Sequence, residues 1–410
     1  MEIEEKPFNK RLERNKAIWM AVLTLLVYAI CYFSRNILGA VQPEMAATTD
    51  FSIEMLGTVA SVGMFTYAIG QLVCGVIGDY VKAKYMLSGG LALSAAATMI
   101  LPFADSFAVL LVAYGAMSLF LSAIFGPITK TISQFTAPAY VNRVALMTSV
   151  ASIISSPMAG VMAMFFDWKT AFIIAAVLQL LIAIFNFVFF TVCEKKGWIT
   201  YPERVKKDKS ARKGMDWKVL IRHAILQYIV IAALTGVKNS IVYWIPTYFV
   251  QHLGYSTTVA AAIFTVVTII KAVSPFFTNF VFYEKLFKRR SNGILVLSFG
   301  VSAVCYFVMS LTNAPMISII LVTLALFIGG AYSTLLFSVY CPGLKKTGAV
   351  SGVSGFLNCI NYLVGALANF IISKIVTNTG WTPILIGWAV LMLVGAAVSL
   401  PILHKNSEVQ

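Results

Sequence analysis

The stretch Tyr28–Pro43, YAICYFSRNILGAVQP, decides how this chain reads, because Arg35 falls inside an apolar run long enough to cross a membrane. Arginine in hydrocarbon costs at least about 2.5 kcal/mol, so such a residue faces a polar pathway rather than lipid. A second stretch repeats the arrangement: KNSIVYWIP, Lys238–Pro246, sets a lysine eight residues before a proline, as Arg35 stands eight before Pro43. Two embedded cations at matching places predict a duplicated architecture around a charge-lined cavity.

Composition points the same way. Of 410 residues 59% are hydrophobic and 11% charged, against about 25% charged in soluble domains. The net charge of +15 lies mostly in short segments between apolar runs, where basic residues set membrane orientation, so no nucleic-acid partner is expected. Cys31, Cys74, Cys193, Cys305, Cys341 and Cys359 show no metal-ligand spacing and read as small apolar fillers. The apolar run after the mixed-charge N-terminus exceeds a signal peptide's core and is expected to remain as the first span.

Apolar runs of about twenty residues predict twelve spans. Their expected limits are 17–41, 53–77, 85–103, 107–135, 144–166, 170–192, 219–250, 258–282, 293–311, 316–339, 349–376 and 381–403. Lys82 and Lys84, Arg143, the run from Lys195 to Lys218, Lys285 with Lys288 to Arg290, and Lys345 with Lys346 follow the even-numbered spans. Those segments are expected on the cytoplasmic side with both termini, while Glu44, Asp50, Glu54, Asp105 and Asp167 mark the outer loops. The long polar stretch 194–218 reads as a solvated basic linker, able alternatively to bind anionic lipid or a partner. It divides an N-terminal bundle, 1–193, from a C-terminal bundle, 219–410.

The halves match in detail. Phe51-Ser52 and Tyr255-Ser256 follow Pro43 and Pro246 and predict the caps of spans two and eight. Asp79 and Glu284 follow the two cations by 44 and 46 residues, and AMFFDWKTAF and SKIVTNTGWTPI align on Trp168 and Trp381. The expected fold is all-α and integral to the membrane: twelve transmembrane helices in two pseudo-symmetric six-helix bundles, with a binding site at mid-membrane between them.

At these residues the chain resembles the major facilitator superfamily. GVIGDYVKAK, Gly75–Lys84, is similar to that superfamily's loop after span two, although Tyr80 stands where an arginine is usual and Lys82 where a glycine is. Within the superfamily, YFSRNILGAVQP and VKNSIVYWIPTYF resemble the organophosphate:phosphate antiporters, which carry basic residues on spans one and seven and a W-x-P-x-Y motif. Arg35 and Lys238 occupy the basic positions, and Trp244, Pro246 and Tyr248 complete the motif. Lysine on span seven is similar to the glucose-6-phosphate translocators. Asn36, where the glycerol-phosphate type has lysine, and a span five without histidine depart from that type.

Every acidic residue lies in a terminus, a loop or a helix end, whereas Arg35, Lys130, Lys238 and Lys271 lie within or near the hydrocarbon. Buried charge needs compensation, and a mobile anion can supply it. Arg35 and Lys238 are therefore the primary candidates for substrate contact, with Lys130, which could instead snorkel, and Lys271, whose facing direction the sequence does not fix. Tyr32 shares a helix face with Arg35, and Asn358, Asn361 and Tyr362 cluster at helical spacing on span eleven. Trp244 and Tyr248 read more readily as an aromatic belt, and Gly89-Gly90 and Gly329-Gly330 as helix-packing positions.

These features predict a secondary transporter in a cell (inner) membrane, exchanging a phosphorylated metabolite for inorganic phosphate by alternating access. It is expected to be a monomer in the lipid bilayer. A bound dianion would neutralise Arg35 and Lys238 and lower the barrier to reorientation. The alternatives are sugar-acid symport, as in the anion:cation symporters, where Lys130 resembles a span-four arginine, and a non-transporting membrane sensor. No nucleophile–base pair, paired carboxylates or metal cluster is present in the sequence, so neither enzyme activity nor a cofactor or metal is expected.

Overall fold

The computed structural model describes residues 10–77, 81–199, 224–286, 291–312, 314–341, 344 and 350–400; the side chains of some helix residues, Lys130 among them, lie outside the description. The first six helices are α1 (Lys10–Thr48), α2 (Ile53–Ile77), α3 (Ala83–Ile100), α4 (Phe107–Leu121, continued beyond a 3-10 turn at Ser122–Ile124 as Phe125–Phe135), α5 (Pro138–Phe165) and α6 (Trp168–Lys195). The second six are α7 (Ile225–Gln251), α8 (Thr257–Phe277, prolonged by a π-helical stretch Thr278–Leu286), α9 (Ser291–Leu311), α10 (Pro315–Thr334, prolonged by π-helical Leu335–Tyr340), α11 (Val350–Thr379) and α12 (Thr382–Ser399).

The expected spans are all present, and α2 has its expected limits. Two helices outrun their apolar stretches: α1 begins at Lys10 and continues past Pro43 to Thr48, and α5 begins at Pro138. Among the described residues eleven helices are long and apolar enough to cross a membrane. Over its described residues the twelfth, α5, contributes the shorter apolar helix Val150–Phe165. Most of the linker lies outside the described residues, as do Asp79 and the side chain of Glu284.

Packing repeats between the halves. Among α1–α6, α1 lies on α5, α3 on α6, and α4 on both α2 and α3; among α7–α12, α7 lies on α11, α9 on α12, and α10 on both α8 and α9. The two sets meet through α2 on α11 and α5 on α8, pairs that the same two-fold exchanges, and through α1 on α7. Helices without a hydrophobic force between them associate by close packing of small residues and by interhelical hydrogen bonds, and both operate here. At Gly39 of α1 a Cβ would stand 2.8 Å from the ring of Tyr243 on α7, and at Gly236 of α7 it would run into the Asn361 carbonyl of α11.

The predicted caps form. Ser52 Oγ accepts from the Met55 amide at 3.2 Å and Ser256 Oγ from the Val259 amide at 3.4 Å. Trp168 and Trp381 are both buried at equivalent corners. Each is tied to the end of the central helix of its half: the Trp168 amide donates to Glu44 Oε1 of α1, and Trp381 Nε1 to Gln251 Oε1 of α7, both at 3.3 Å.

Candidate functional site

Three consecutive residues of α1 are held from three directions, and this fixes where Arg35 points. Ser34 Oγ accepts from Gln179 Nε2 of α6 at 2.8 Å, and the same amide donates to Thr98 Oγ1 of α3 at 3.0 Å. Asn36 Nδ2 donates to Ser156 Oγ of α5 at 3.0 Å. The Arg35 carbonyl accepts from the Tyr114 hydroxyl of α4 at 3.1 Å. Helical spacing then turns the Arg35 side chain toward the remaining side, where α2 and α11 meet.

There the guanidinium lies beside two tyrosines that touch each other. Its Cζ stands 3.9 Å from the ring centroid of Tyr67 on α2 and 4.8 Å from that of Tyr362 on α11. The two rings meet edge to face with centroids 4.8 Å apart, and Arg35 Nη1 donates to the Tyr362 hydroxyl at 3.2 Å. Cation–π contacts of this kind are worth more when desolvated, about 2 kcal/mol. They spread the arginine's charge without cancelling it. Tyr32 is half-buried and within Coulombic range of both Arg35 and Tyr362, as its place on the shared face predicted.

Lys238 is set differently. The α7 helix is pinned on α11: Asn239 Nδ2 donates to Asn361 Oδ1 at 3.2 Å, Trp244 Nε1 donates to Asn369 Oδ1 at 3.0 Å, and Ser240 Oγ donates to the same Asn369 oxygen. These bonds turn Lys238, only 4% exposed, toward α10, where Nζ donates to Ser333 Oγ at 2.7 Å and to the Gly329 carbonyl at 3.5 Å. Both partners are neutral. Lys271 lies on the buried face of α8, in helical line with Phe264, Val267 and Ser274, and within Coulombic range of Lys238. Among the described residues it has no hydrogen bond or ion pair.

The structure thus gathers most of the residues singled out in the sequence. Asn361 supports α7 beside Lys238, and Asn358 Nδ2 donates to Gln71 Oε1 of α2 at 2.9 Å, across the halves. Lys130 sits on the second segment of α4, and its side chain lies outside the described residues. Trp244 and Tyr248 are not a lipid-facing belt: they are 0% and 2% exposed and pack with Trp381, because Asn369 draws the Trp244 indole inward. Gly329 and Gly330 pack as expected, the first beside Lys238 and Tyr332 and the second against Ser274. The sequence reading passed over Tyr67, Gln71 and Ser333. A tyrosine and a glutamine four apart in an otherwise apolar span two, Tyr67 and Gln71, were the signal available.

Two six-helix sets related by a pseudo-two-fold, each carrying a cation on its first helix, define a polytopic helical protein built from two parallel repeats. The chain belongs to the Major Facilitator Superfamily, whose sequence profile matches residues 24–368. It is 24% identical over 385 residues to the hexuronate transporter of Bacillus subtilis, covering 87% of this chain and 88% of that protein. A shorter likeness, 33% identical over 66 residues, joins it to the membrane sensor protein UhpC of Escherichia coli, covering 16% of this chain and 15% of that one. Its fold matches a bacterial homolog of the human lysosomal transporter Spinster in an inward-facing and occupied conformation, with TM-score 0.76 at 13% identity over 96% of this chain and 98% of that one. The nucleoside transporter NupG matches with TM-score 0.71 at 13% identity over 95% and 99%.

Proposed function

We propose that the protein is a cell-membrane transporter of a small organic anion, bound between Arg35 and Lys238, and that its substrate is a phosphorylated metabolite exchanged for inorganic phosphate. The observation that carries this reading is one cation inside each half, half-buried Arg35 and buried Lys238, whose hydrogen-bond partners among the described residues are all neutral. A buried charge left without a counter-ion is costly, and a doubly charged anion removes that cost for both cations together. Lys271 near Lys238 supports a ligand with more than one negative charge, and we assign Tyr32 and Asn361 to the same site, with Lys130 and Asn358 on its inner side. Reorientation then proceeds readily only when an anion occupies the site, which makes transport an exchange. The bundles are 1–193 and 219–410, joined by the linker 194–218, with that linker and both termini cytoplasmic by the positive-inside rule; the carrier works as a monomer in the bilayer.

A second reading has its own support. Likeness to a hexuronate transporter over most of the chain favours a sugar acid as substrate. Radiolabelled phosphate uptake into proteoliposomes separates the two. Uptake into phosphate-loaded but not empty vesicles, blocked by a phosphate monoester, is the expected result. Glucuronate uptake driven by a proton gradient, without phosphate flux, would establish the second reading.

A further inference from the structure

Arg35 and Lys238 occupy equivalent helices, yet only one of them is bonded across the halves. Among the described residues, every hydrogen-bond partner of the Lys238 ammonium, Ser333 and Gly329, lies on α10 within its own six-helix set. The Arg35 guanidinium instead donates from Nη1 to Tyr362 on α11, a helix of the other set. Motions in which one set rocks against the other leave contacts within a set intact and remake those between sets. The bond to Tyr362 belongs to the second kind.

The chemistry of this bond gives it a further consequence. A guanidinium grips an anion best through two parallel N–H bonds from one edge, and the neighbouring Tyr67 and Tyr362 rings crowd one side of Arg35. The Tyr362 hydroxyl occupies one of the N–H groups that such a grip uses, on Nη1. A neutral phenol oxygen is a weaker acceptor than a phosphate or carboxylate oxygen, so it yields to an anion without preventing binding. Resting on the anion site proposed above, we propose that Tyr362 is a specificity-determining and coupling residue whose hydroxyl competes with the transported anion for Arg35. Anion binding then breaks the hydrogen bond between α1 and α11 and frees the two halves at this point. Weakly charged solutes, which do not outcompete the phenol, leave the halves linked and are rejected.

The test is Tyr362→Phe in the purified full-length protein, which keeps the aromatic ring beside Arg35 and removes only the competing oxygen. Equilibrium binding is measured with inorganic phosphate and, separately, glucuronate as probes, and amide hydrogen exchange of α11 is followed without either. Loss of one hydrogen bond to a charged donor predicts Kd tighter by about tenfold or more for the anion that the wild type binds, with exchange over residues 354–366 raised several-fold. Weaker or unchanged binding by the variant would overturn the proposal, as would tighter binding with unaltered exchange. If the wild type binds neither probe, the anion-site reading itself fails, a result distinct from wild-type binding that the variant does not improve.

Discussion

Arg35 and Lys238 stand at matching places in a duplicated chain, and their surroundings differ in kind. The arginine is aromatic-clad and bonded to the opposite half through Tyr362; the lysine is cradled by a hydroxyl and a carbonyl of its own half, with a second lysine nearby. Pseudo-symmetry therefore fixes the positions of the charges and leaves their partners free to diverge. In the proposed mechanism the N-terminal cation reports on the relation between the halves, and the C-terminal pair concentrates positive charge for the anion. Arginine suits the first task, since its planar fork stacks on rings and bonds at its edge, and lysine suits the second as a compact point charge.

Removing either cation breaks the comparison most severely. Arg35→Ala and Lys238→Ala are each expected to reduce anion exchange by about 30-fold or more, since loss of one partner from a buried, charge-assisted contact costs about 2–5 kcal/mol. Monodisperse elution at wild-type yield verifies that the variants still fold. A smaller effect separates the two poles. Lys271→Ala is expected to weaken phosphate binding about tenfold, the lower end of the worth of one charged hydrogen bond, and to weaken monoanionic glucuronate less; equal losses for both would remove Lys271 from the charge count. Asn369→Ala leaves Trp244 Nε1 and the Ser240 hydroxyl without their acceptor in a buried interface. Thermal unfolding in detergent should show a loss of about 1–3 kcal/mol. The smallest effect tests the symmetry itself: Ser52→Ala and Ser256→Ala each remove an equivalent cap and should cost about 1 kcal/mol apiece.

The architecture was legible in the sequence because hydropathy is a property of whole segments. The ends of α1 and the start of α5 do not follow from it, but the number and order of the helices, the caps at Ser52 and Ser256, and the paired Trp168 and Trp381 all follow from patterns along the chain. So do the polar cluster Asn358, Asn361 and Tyr362, spaced for one side of α11, and the isolated cations. Rotation of one helix against another is not written in a segment's composition. It depends on bonds such as Gln179 to Ser34 and Asn239 to Asn361, whose partners are more than a hundred residues apart. For that reason Tyr67 and Ser333, ordinary residues of apolar spans, went unnoticed beside the charges they contact. Trp244 was misread for a related reason: a tryptophan near a span's outer end meets lipid or protein according to what the facing helix offers, and Asn369 decides the matter.

The central claim is that Arg35 and Lys238 hold one anion together, and a double-mutant cycle on phosphate binding tests it most directly. Affinities are measured for the wild type, Arg35→Ala, Lys238→Ala and the double variant in the same proteoliposomes. Residues sharing a ligand act non-additively, so the account predicts that each single change removes most of the affinity and the double change removes little more. Wild-type affinity in either single variant, or losses that simply add, would contradict a shared anion and return the two cations to separate roles.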